Sequence, residues 1–158
     1  MNKPVNLIPP VLKNVRVARA QADTFRLYTE GLGQWWPLKT HSIGGEKAKT
    51  AVMEPHKGGR LYEVWHDGSI NPYGEVLVWD PPHRVVHSWH VGHPPNESSE
   101  VELRFVALGS RETRVELEHR NWEGMSGDKA AEVRERYNNG WETVFIKSFG
   151  NFAGIAEG

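Results

Sequence analysis

Cysteine is absent from this 158-residue chain. Its absence excludes a disulfide scaffold, a thiol nucleophile and any metal site built from thiolates. Any acid–base catalysis would therefore fall mainly to histidine and glutamate. A chain of this length predicts one domain, which can bury enough apolar surface to form a core without cross-links.

Net charge and long apolar runs are also lacking. With 19 basic and 20 acidic side chains the net charge is -1, which gives no support for nucleic-acid binding. No stretch approaches the roughly 18 apolar residues of a membrane helix, and residues 1–10 lack the features of a secretory signal. We expect an extended N-terminal arm over 1–10, a single domain over 11–154, no membrane insertion and a cytoplasmic location.

Tryptophan, by contrast, is abundant: the chain has 7, although hydrophobic residues make up only 38% of it. Many indoles among few aliphatic side chains indicate that large rings fill the core or line a cavity. Trp79 is out of register with its strand neighbours, and Trp122 follows the last predicted strand in a loop. Trp35 is expected to diverge from its neighbour. The indoles left for one interior are Trp36, Trp65, Trp89 and Trp141.

The order of the predicted elements indicates an α+β fold of two layers. A first strand near residues 12–19 precedes short helices, and the region 48–121 alternates as five or six strands joined by short turns, which is typical of an antiparallel meander. Residues 128–152 have a helical period, with Gly140 as a point for a kink. The apolar stripe of this helix comprises Trp141, Phe145, Phe149 and Phe152. One long amphipathic helix must cover one face of one sheet.

Several short motifs, in their order and spacing, resemble the bacterial branch of the Hsp90 ATPase activator homologue family. They are Trp35-Trp36-Pro37, Lys57-Gly58-Gly59-Arg60, GEVLVWDPP at 74–82, VVHSW at 85–89, TRVELEH at 113–119 and Gly140-Trp141. That family belongs to the START-like, or SRPBCC, superfamily. The resemblance covers roughly residues 15–152 and implies the helix-grip fold. In that fold a curved antiparallel sheet of six to seven strands wraps round a long C-terminal helix, with two short helices after strand one.

The helix-grip fold implies a deep cavity between the sheet and the helix. We expect it to bind a small hydrophobic or aromatic molecule, because the inward-pointing side chains are apolar and aromatic. The alternative is that the same rings form ordinary core. The predicted ligand-binding residues are Trp36, Trp65, Trp89, Phe105, His119, Trp141 and Phe145.

Two ionisable residues are candidates for catalysis. His119 shares the inward register of the last strand, where it would act as a general acid or base at the cavity mouth, or be a hydrogen-bonded histidine near the sheet edge. Glu63 shares a strand face with Trp65. Buried alone it would be an acid with a raised pKa; the favoured interpretation is an ordinary ion pair with Arg60 or Arg104.

No metal or cofactor is expected. His87, His90 and His93 are spaced by three, which on a strand places neighbouring members on opposite faces. The sequence also contains no zinc-protease, P-loop or dinucleotide-binding motif.

Three functions remain open, in order of preference. The first is ligand binding without catalysis, and the second is a cyclase, dehydratase or hydrolase that uses the same cavity. The third is a chaperone-associated interaction module that works through the outer face of the sheet, with the chaperone partner implied by the family resemblance. Exposed edge strands also make a homodimer a hypothesis.

Overall fold

A computed structural model describes residues 8–156 and contains one curled antiparallel sheet of seven strands. The order across the sheet is β1-β7-β6-β5-β4-β3-β2, so the first strand pairs with the last. This confirms the predicted α+β helix-grip fold. The strands are β1 Val11–Val17, β2 Ala48–Met53, β3 Arg60–Trp65, β4 Ile70–Asp80, β5 Arg84–Trp89, β6 Ser99–Gly109 and β7 Glu112–Arg120.

Alternation of buried and exposed residues, clearest in β7, gives the sheet one buried face and one wet face. In β7, Thr113, Val115 and Leu117 are buried, while Arg114 and Glu116 between them are partly exposed. Register shifts interrupt the β3–β4 and β4–β5 pairings. Bulges of this kind bend a strand and increase its twist, so the sheet curls round what lies on its buried face.

Helices cover that buried face. The two short helices expected after the first strand are α1, Gln21–Tyr28, and α2, Leu32–Trp35. The predicted C-terminal helix consists of α4, Ala130–Trp141, a π-helical segment, Glu142–Phe149, and α5, Gly150–Ala153. The helix continues through Gly140, and the hydrogen-bond pattern changes two residues later.

One helix was missed by the sequence pattern. The segment Trp122–Ser126, predicted as loop, forms α3. Trp122 is fully buried, and its ring centroid lies 4.0 Å from that of His119. A helix of five residues is too short to show a period, so only the packing of its first side chain explains it.

The predicted N-terminal arm is only partly described, because residues 1–7 lie outside the described range. Residues 8–10 run along the helical layer. The backbone N–H of Ile8 donates to Glu123 Oε1 at 3.3 Å, and the Arg134 guanidinium donates to the carbonyl oxygens of Pro9 and Pro10 at 3.1 and 3.0 Å. Within the described range, no helix has the length and apolar character needed to cross a membrane.

Half of the interior is solid. Tyr28 lies at the centre of an aromatic cluster, with ring centroids 4.8 Å from Trp35 and 5.0 Å from Phe149. Phe105 packs against α1, and Phe145 stacks on Phe149 at 5.8 Å. Phe105 and Phe145 belong to this packed half of the interior and are not among the residues that line the cavity described below, so their part in ligand binding stays a prediction.

Candidate functional site

The other half of the interior holds a cavity of ≈ 210 Å³ between the sheet and the C-terminal helix. Its wall comprises the loop after α2, strands β4 and β5, Val91 shortly after β5, and the helix from α4 into the π-helical segment. The lining residues are Trp36, His41, Ser42, Ile43, Tyr73, Trp89, Val91, Tyr137, Gly140, Trp141 and Val144.

Three of the predicted ligand-binding residues meet in this wall. The ring centroid of Trp36 lies 5.9 Å from that of Trp89 and 6.2 Å from that of Trp141. The Trp89 and Trp141 centroids are 6.2 Å apart. Indoles from a loop, a strand and a helix therefore surround one space.

The polar edges of these indoles are already hydrogen-bonded to the protein. Trp36 Nε1 donates to the carbonyl oxygen of His41 at 2.7 Å, and Trp89 Nε1 donates to the Tyr137 hydroxyl at 2.8 Å. Trp141 Nε1 donates to His119 Nδ1 at 2.9 Å. With their N–H groups fixed in this way, the rings hold their orientation and offer apolar surface to the cavity.

His119 is not among the residues that line the cavity, and the structure places it as a hydrogen-bonded histidine, which is the second alternative given for it above. It is fully buried behind Trp141, whose N–H can only donate, and Nδ1 must therefore be the unprotonated nitrogen. Nε2 carries the proton and donates to Ser99 Oγ at 2.8 Å. Burial, with a smaller effect from nearby His87, holds the pKa of His119 well below its usual range. His119 thus positions Trp141 as a neutral hydrogen-bond acceptor.

Glu63 is fully buried and accepts four hydrogen bonds. The donors are the backbone N–H groups of Ile43 and Gly44 at 2.8 and 2.7 Å, Trp65 Nε1 at 2.7 Å and the Tyr73 hydroxyl at 2.5 Å. Burial acts to raise the pKa of Glu63, but these bonds, Tyr73's the strongest, outweigh it and hold the pKa below the usual range. Glu63 is therefore an ionised carboxylate at neutral pH, and the alternative of a buried acid with a raised pKa does not apply to it.

The ion pair predicted for Glu63 is also wrong. Arg60 pairs with Glu54 at 3.1 Å, and Arg104 pairs with carboxylates on the opposite, wet face of the sheet. Glu63 points into the protein, where the donors that reach it are neutral groups.

Trp65, another predicted ligand-binding residue, is not among the residues that line the cavity. It shares the face of Glu63, as expected, but the loop after α2 covers that end of the face. A Cβ atom on Gly44 would come within 2.6 Å of the Trp65 indole, and Lys47 Nζ lies 5.3 Å from the ring centroid. The close approach needs glycine, and it fills the space in which a ligand would otherwise contact Trp65.

The same loop forms one wall of the cavity, and Glu63 anchors it. His41, Ser42 and Ile43 line the space, and Glu63 binds the backbone at Ile43 and Gly44. Ser42 Oγ donates to the carbonyl oxygen of Leu38 at 2.6 Å and so ties the loop to itself. The wall is held in place without a ligand.

Several lining residues were missed by the sequence analysis. Tyr137 and Val144 share the helical stripe of Trp141 at spacings of four and three, so the signal was present. Tyr73 was missed because β4 begins at Ile70 and not at Gly74. The loop residues carry no periodic signal at all.

A second, outer chamber of ≈ 350 Å³ adjoins the cavity. The two spaces share the residues His41, Val91, Tyr137 and Gly140. The outer chamber is completed by His93, Met125, Val133 and Arg136. A Cβ atom at Gly140 would meet nothing within 4 Å, so the missing side chain leaves open space at a wall residue that the two chambers share.

The histidine run does not converge on one point. His87 Nδ1 lies 2.9 Å from the carbonyl oxygen of Ser88, and His90 Nδ1 lies 3.2 Å from that of His93. Over residues 8–156, no three His, Asp or Glu side chains are arranged as metal ligands.

The curled sheet, the helix that it grips and the aromatic cavity between them define the class of START-like helix-grip domains. The family model described as "Activator of Hsp90 ATPase homolog 1-like protein" matches residues 20–153. The chain belongs to that family. No curated protein matches the chain by sequence.

Solved structures with the same fold include proteins with different printed roles. An anthrahydroquino-γ-pyrone synthase is 32% identical, with 92% of this chain and 97% of that chain covered and a TM-score of 0.64. CalC, a self-sacrificing resistance protein from Micromonospora echinospora, is 29% identical over 94% and 96% of the two chains, with a TM-score of 0.66. An HSP90 activator from Plasmodium falciparum is 20% identical over 94% and 98%, with a TM-score of 0.63, and shares the fold alone.

Proposed function

We propose that this protein binds a small, flat aromatic molecule in the cavity between the sheet and the C-terminal helix. The observation that carries the proposal is the wall of three indole rings whose N–H groups are all bonded to the protein. Such a wall favours ring faces and offers few polar groups to any other kind of ligand.

The size of the cavity limits the ligand. An apolar cavity of about 150 Å³ already holds benzene. A space of ≈ 210 Å³ therefore suits one or two fused rings, and a larger molecule would have to extend into the outer chamber. The Tyr137 hydroxyl accepts from Trp89 and keeps its own proton, so it can donate to an oxygen on the ligand.

The similar proteins support this ligand class. The synthase is named for a fused-ring aromatic product, and it is 32% identical over nearly the whole chain. Many chemistries share this fold, so the proposal rests on the cavity and the relative adds to it.

Filling the open space at Gly140 tests the proposal. Gly140→Leu places a side chain where a Cβ meets open space, and it replaces a helix glycine with a better helix former, so the fold should persist. Gly109→Leu is the matched control, because a Cβ there also meets nothing within 4 Å but lies on the surface. We expect neutral naphthylethanol to quench tryptophan fluorescence in the wild type and in Gly109→Leu, and to bind Gly140→Leu at least about tenfold more weakly.

Equal affinity of all three proteins for naphthylethanol would contradict the proposal, as would no binding by the wild type. Thermal melting of each variant shows whether a lost affinity reflects a lost fold.

Proton-transfer catalysis in the same cavity is a second candidate, favoured by the position of His41. His41 is a lining residue of both chambers, and its Nδ1 lies 2.8 Å from Thr40 Oγ1. Among the described residues Nε2 has no hydrogen-bond partner, so it is free to exchange a proton with a bound phenol or enol. If the protein converts fused-ring polyketide phenols, His41→Asn should abolish turnover and keep the affinity for naphthylethanol; turnover at the wild-type rate would rule out His41.

A chaperone partner, a homodimer and the cytoplasmic location stay predictions from the sequence. The Plasmodium activator supports only the shared fold, since its identity is 20%.

A further inference from the structure

We propose that the outer chamber is a subsite for a carboxylate carried by the aromatic ligand, with Arg136 as the residue that recognises it. The ligand would then be an arene with a short acidic side chain. This inference rests on the proposed function, because the ring system must occupy the inner cavity.

The two chambers are arranged to take one molecule. They share four wall residues, and the missing side chain of Gly140 leaves open space at one of them. The inner wall is aromatic, while the outer wall brings three basic side chains, His41, His93 and Arg136, to one space. A ligand that fits both must change from apolar to polar along its length.

The charge of the outer wall has one sign. Arg136 lies on the exposed side of α4, and no carboxylate of the described residues comes within 4.0 Å of its guanidinium, although most other arginines of the sheet and helices form ion pairs. No Asp or Glu lines the chamber. Glu97, whose Oε1 lies 3.8 Å from His93 Nδ1, is not one of the lining residues.

Tyr137 stands at the junction and supplies a neutral donor beside the cation. Burial raises the pKa of its hydroxyl, against smaller opposing effects of the Trp89 hydrogen bond and the Arg136 charge, so the phenol keeps its proton at neutral pH. A carboxylate that leaves the inner cavity thus meets an O–H donor first and the guanidinium next. Val91, Val133 and Met125 pack round the connecting methylene groups.

A matched pair of ligands separates this inference from the proposed function. Naphthylacetate and neutral naphthylethanol have the same rings and nearly the same shape, and they differ in the charge of one group. Affinities of both are measured by tryptophan fluorescence at neutral pH for the wild type, Arg136→Gln and Arg111→Gln. Arg111 is an exposed arginine in the turn between β6 and β7, and its variant loses the same charge far from the chamber.

In the wild type we expect naphthylacetate to bind more tightly than naphthylethanol. Arg136→Gln should weaken naphthylacetate about fivefold, the size expected for a partly exposed ion pair, and leave naphthylethanol unchanged. Arg111→Gln should change neither affinity. Added salt should weaken only the naphthylacetate complex of proteins that keep Arg136.

The inference is overturned if naphthylethanol binds but naphthylacetate binds no more tightly, or if Arg136→Gln and Arg111→Gln weaken naphthylacetate equally. Failure of both compounds to bind the wild type would instead contradict the proposed function. Arg136 forms no ion pair with the residues that the structure describes, so melting temperatures close to that of the wild type are expected for both variants.

Discussion

At the residue scale, the two side chains with the most obvious chemistry act on the shape of the site. His119 fixes the indole of Trp141, and Glu63 fixes the loop that carries Ile43. Both side chains are fully buried, and the two side-chain polar atoms of each are hydrogen-bonded to the protein. Their effect on any ligand is therefore indirect, through the position of an aromatic ring and of a loop.

Replacing Glu63 tests its role as the anchor of the loop. Four donors converge on this carboxylate, and Glu63→Gln replaces one acceptor by an NH2 group that faces N–H donors and can be accepted only by the Tyr73 hydroxyl. We expect the free energy of unfolding to fall by about 1–3 kcal/mol, and naphthylethanol to bind more weakly because the loop wall loosens. Chemical denaturation and fluorescence titration measure the two effects.

Glu75→Gln is the control for that substitution, since it removes an exposed carboxylate from the neighbouring strand. If both glutamine variants have the stability and affinity of the wild type, Glu63 does not anchor the loop. The pKa of Glu63 is lowered in the fold, so its stabilisation is complete above its unfolded pKa of about 4.3 and is lost as the pH falls through the folded pKa.

At the element scale, strands β5, β6 and β7 carry a network of ion pairs on the wet face of the sheet. Glu102 lies at its centre, with its side chain only 8% exposed, and contacts Arg84, Arg104 and Arg120 at 3.2, 3.4 and 2.6 Å. Paired charges leave little net field to attract a charged partner. The hypothesis of a chaperone-binding outer face thus gains no support from electrostatics.

The centre and the rim of this network should differ in their contribution to stability. Glu102→Gln leaves three arginines without their shared carboxylate, so we expect a loss of about 1–3 kcal/mol in the free energy of unfolding. The Glu100 side chain is 36% exposed and contacts Arg120 alone, so Glu100→Gln should lower the free energy of unfolding by less than about 1 kcal/mol. Urea denaturation measures both; equal losses would show that the network has no central member.

The helical layer explains why the interior is solid at one end and open at the other. α1 and α2 bring Tyr28 and Trp35 down onto Phe149. Beyond α2 the chain continues as a loop, which Glu63 of β3 ties to the sheet at Ile43 and Gly44, and the cavity lies beside this loop. The extent of the helices along the sheet therefore sets the position of the site.

At the scale of the whole molecule, two buried histidines should make the fold sensitive to acid. Burial lowers the pKa of His87 to about 4, with a smaller opposing effect of the Ser88 carbonyl, and the pKa of His119 is lowered as well. Both are neutral in the fold and take up protons more readily when unfolded. Their stabilisation is complete above the unfolded pKa of about 6.5 and is lost as the pH falls towards the folded values.

We therefore expect the free energy of unfolding to decrease between about pH 6.5 and 5, by up to about 1.4 kcal/mol per pH unit for each histidine. Denaturant unfolding at several pH values measures this slope. His87→Gln should reduce it, while His66→Gln, which removes an exposed imidazole, serves as the control. A stability that does not change over this range would contradict the assignment of both histidines as neutral.

Local periodicity in the sequence was sufficient for the architecture. The alternation in β7 and the helical stripe of Trp141 and Val144 predict which side of each element is buried. The order of the short motifs predicts the helix-grip fold. The same patterns placed Trp89 and Trp141 on the inward-facing sides of their elements, and both residues line the cavity together with Trp36. They did so because the direction of a side chain from its own backbone depends only on its local conformation.

What lies opposite a buried face was decided by the tertiary structure alone. Phe105 faces inward as predicted, but it meets α1; Trp65 faces inward, but it meets Gly44 in a loop. His119 hydrogen-bonds Trp141 and Ser99, 22 and 20 positions away in the chain, and Glu63 binds the backbone of Ile43, 20 positions away. Contacts between distant segments have no period in the sequence, so the seven tryptophans that first suggested a cavity acquire their separate roles only in the folded protein.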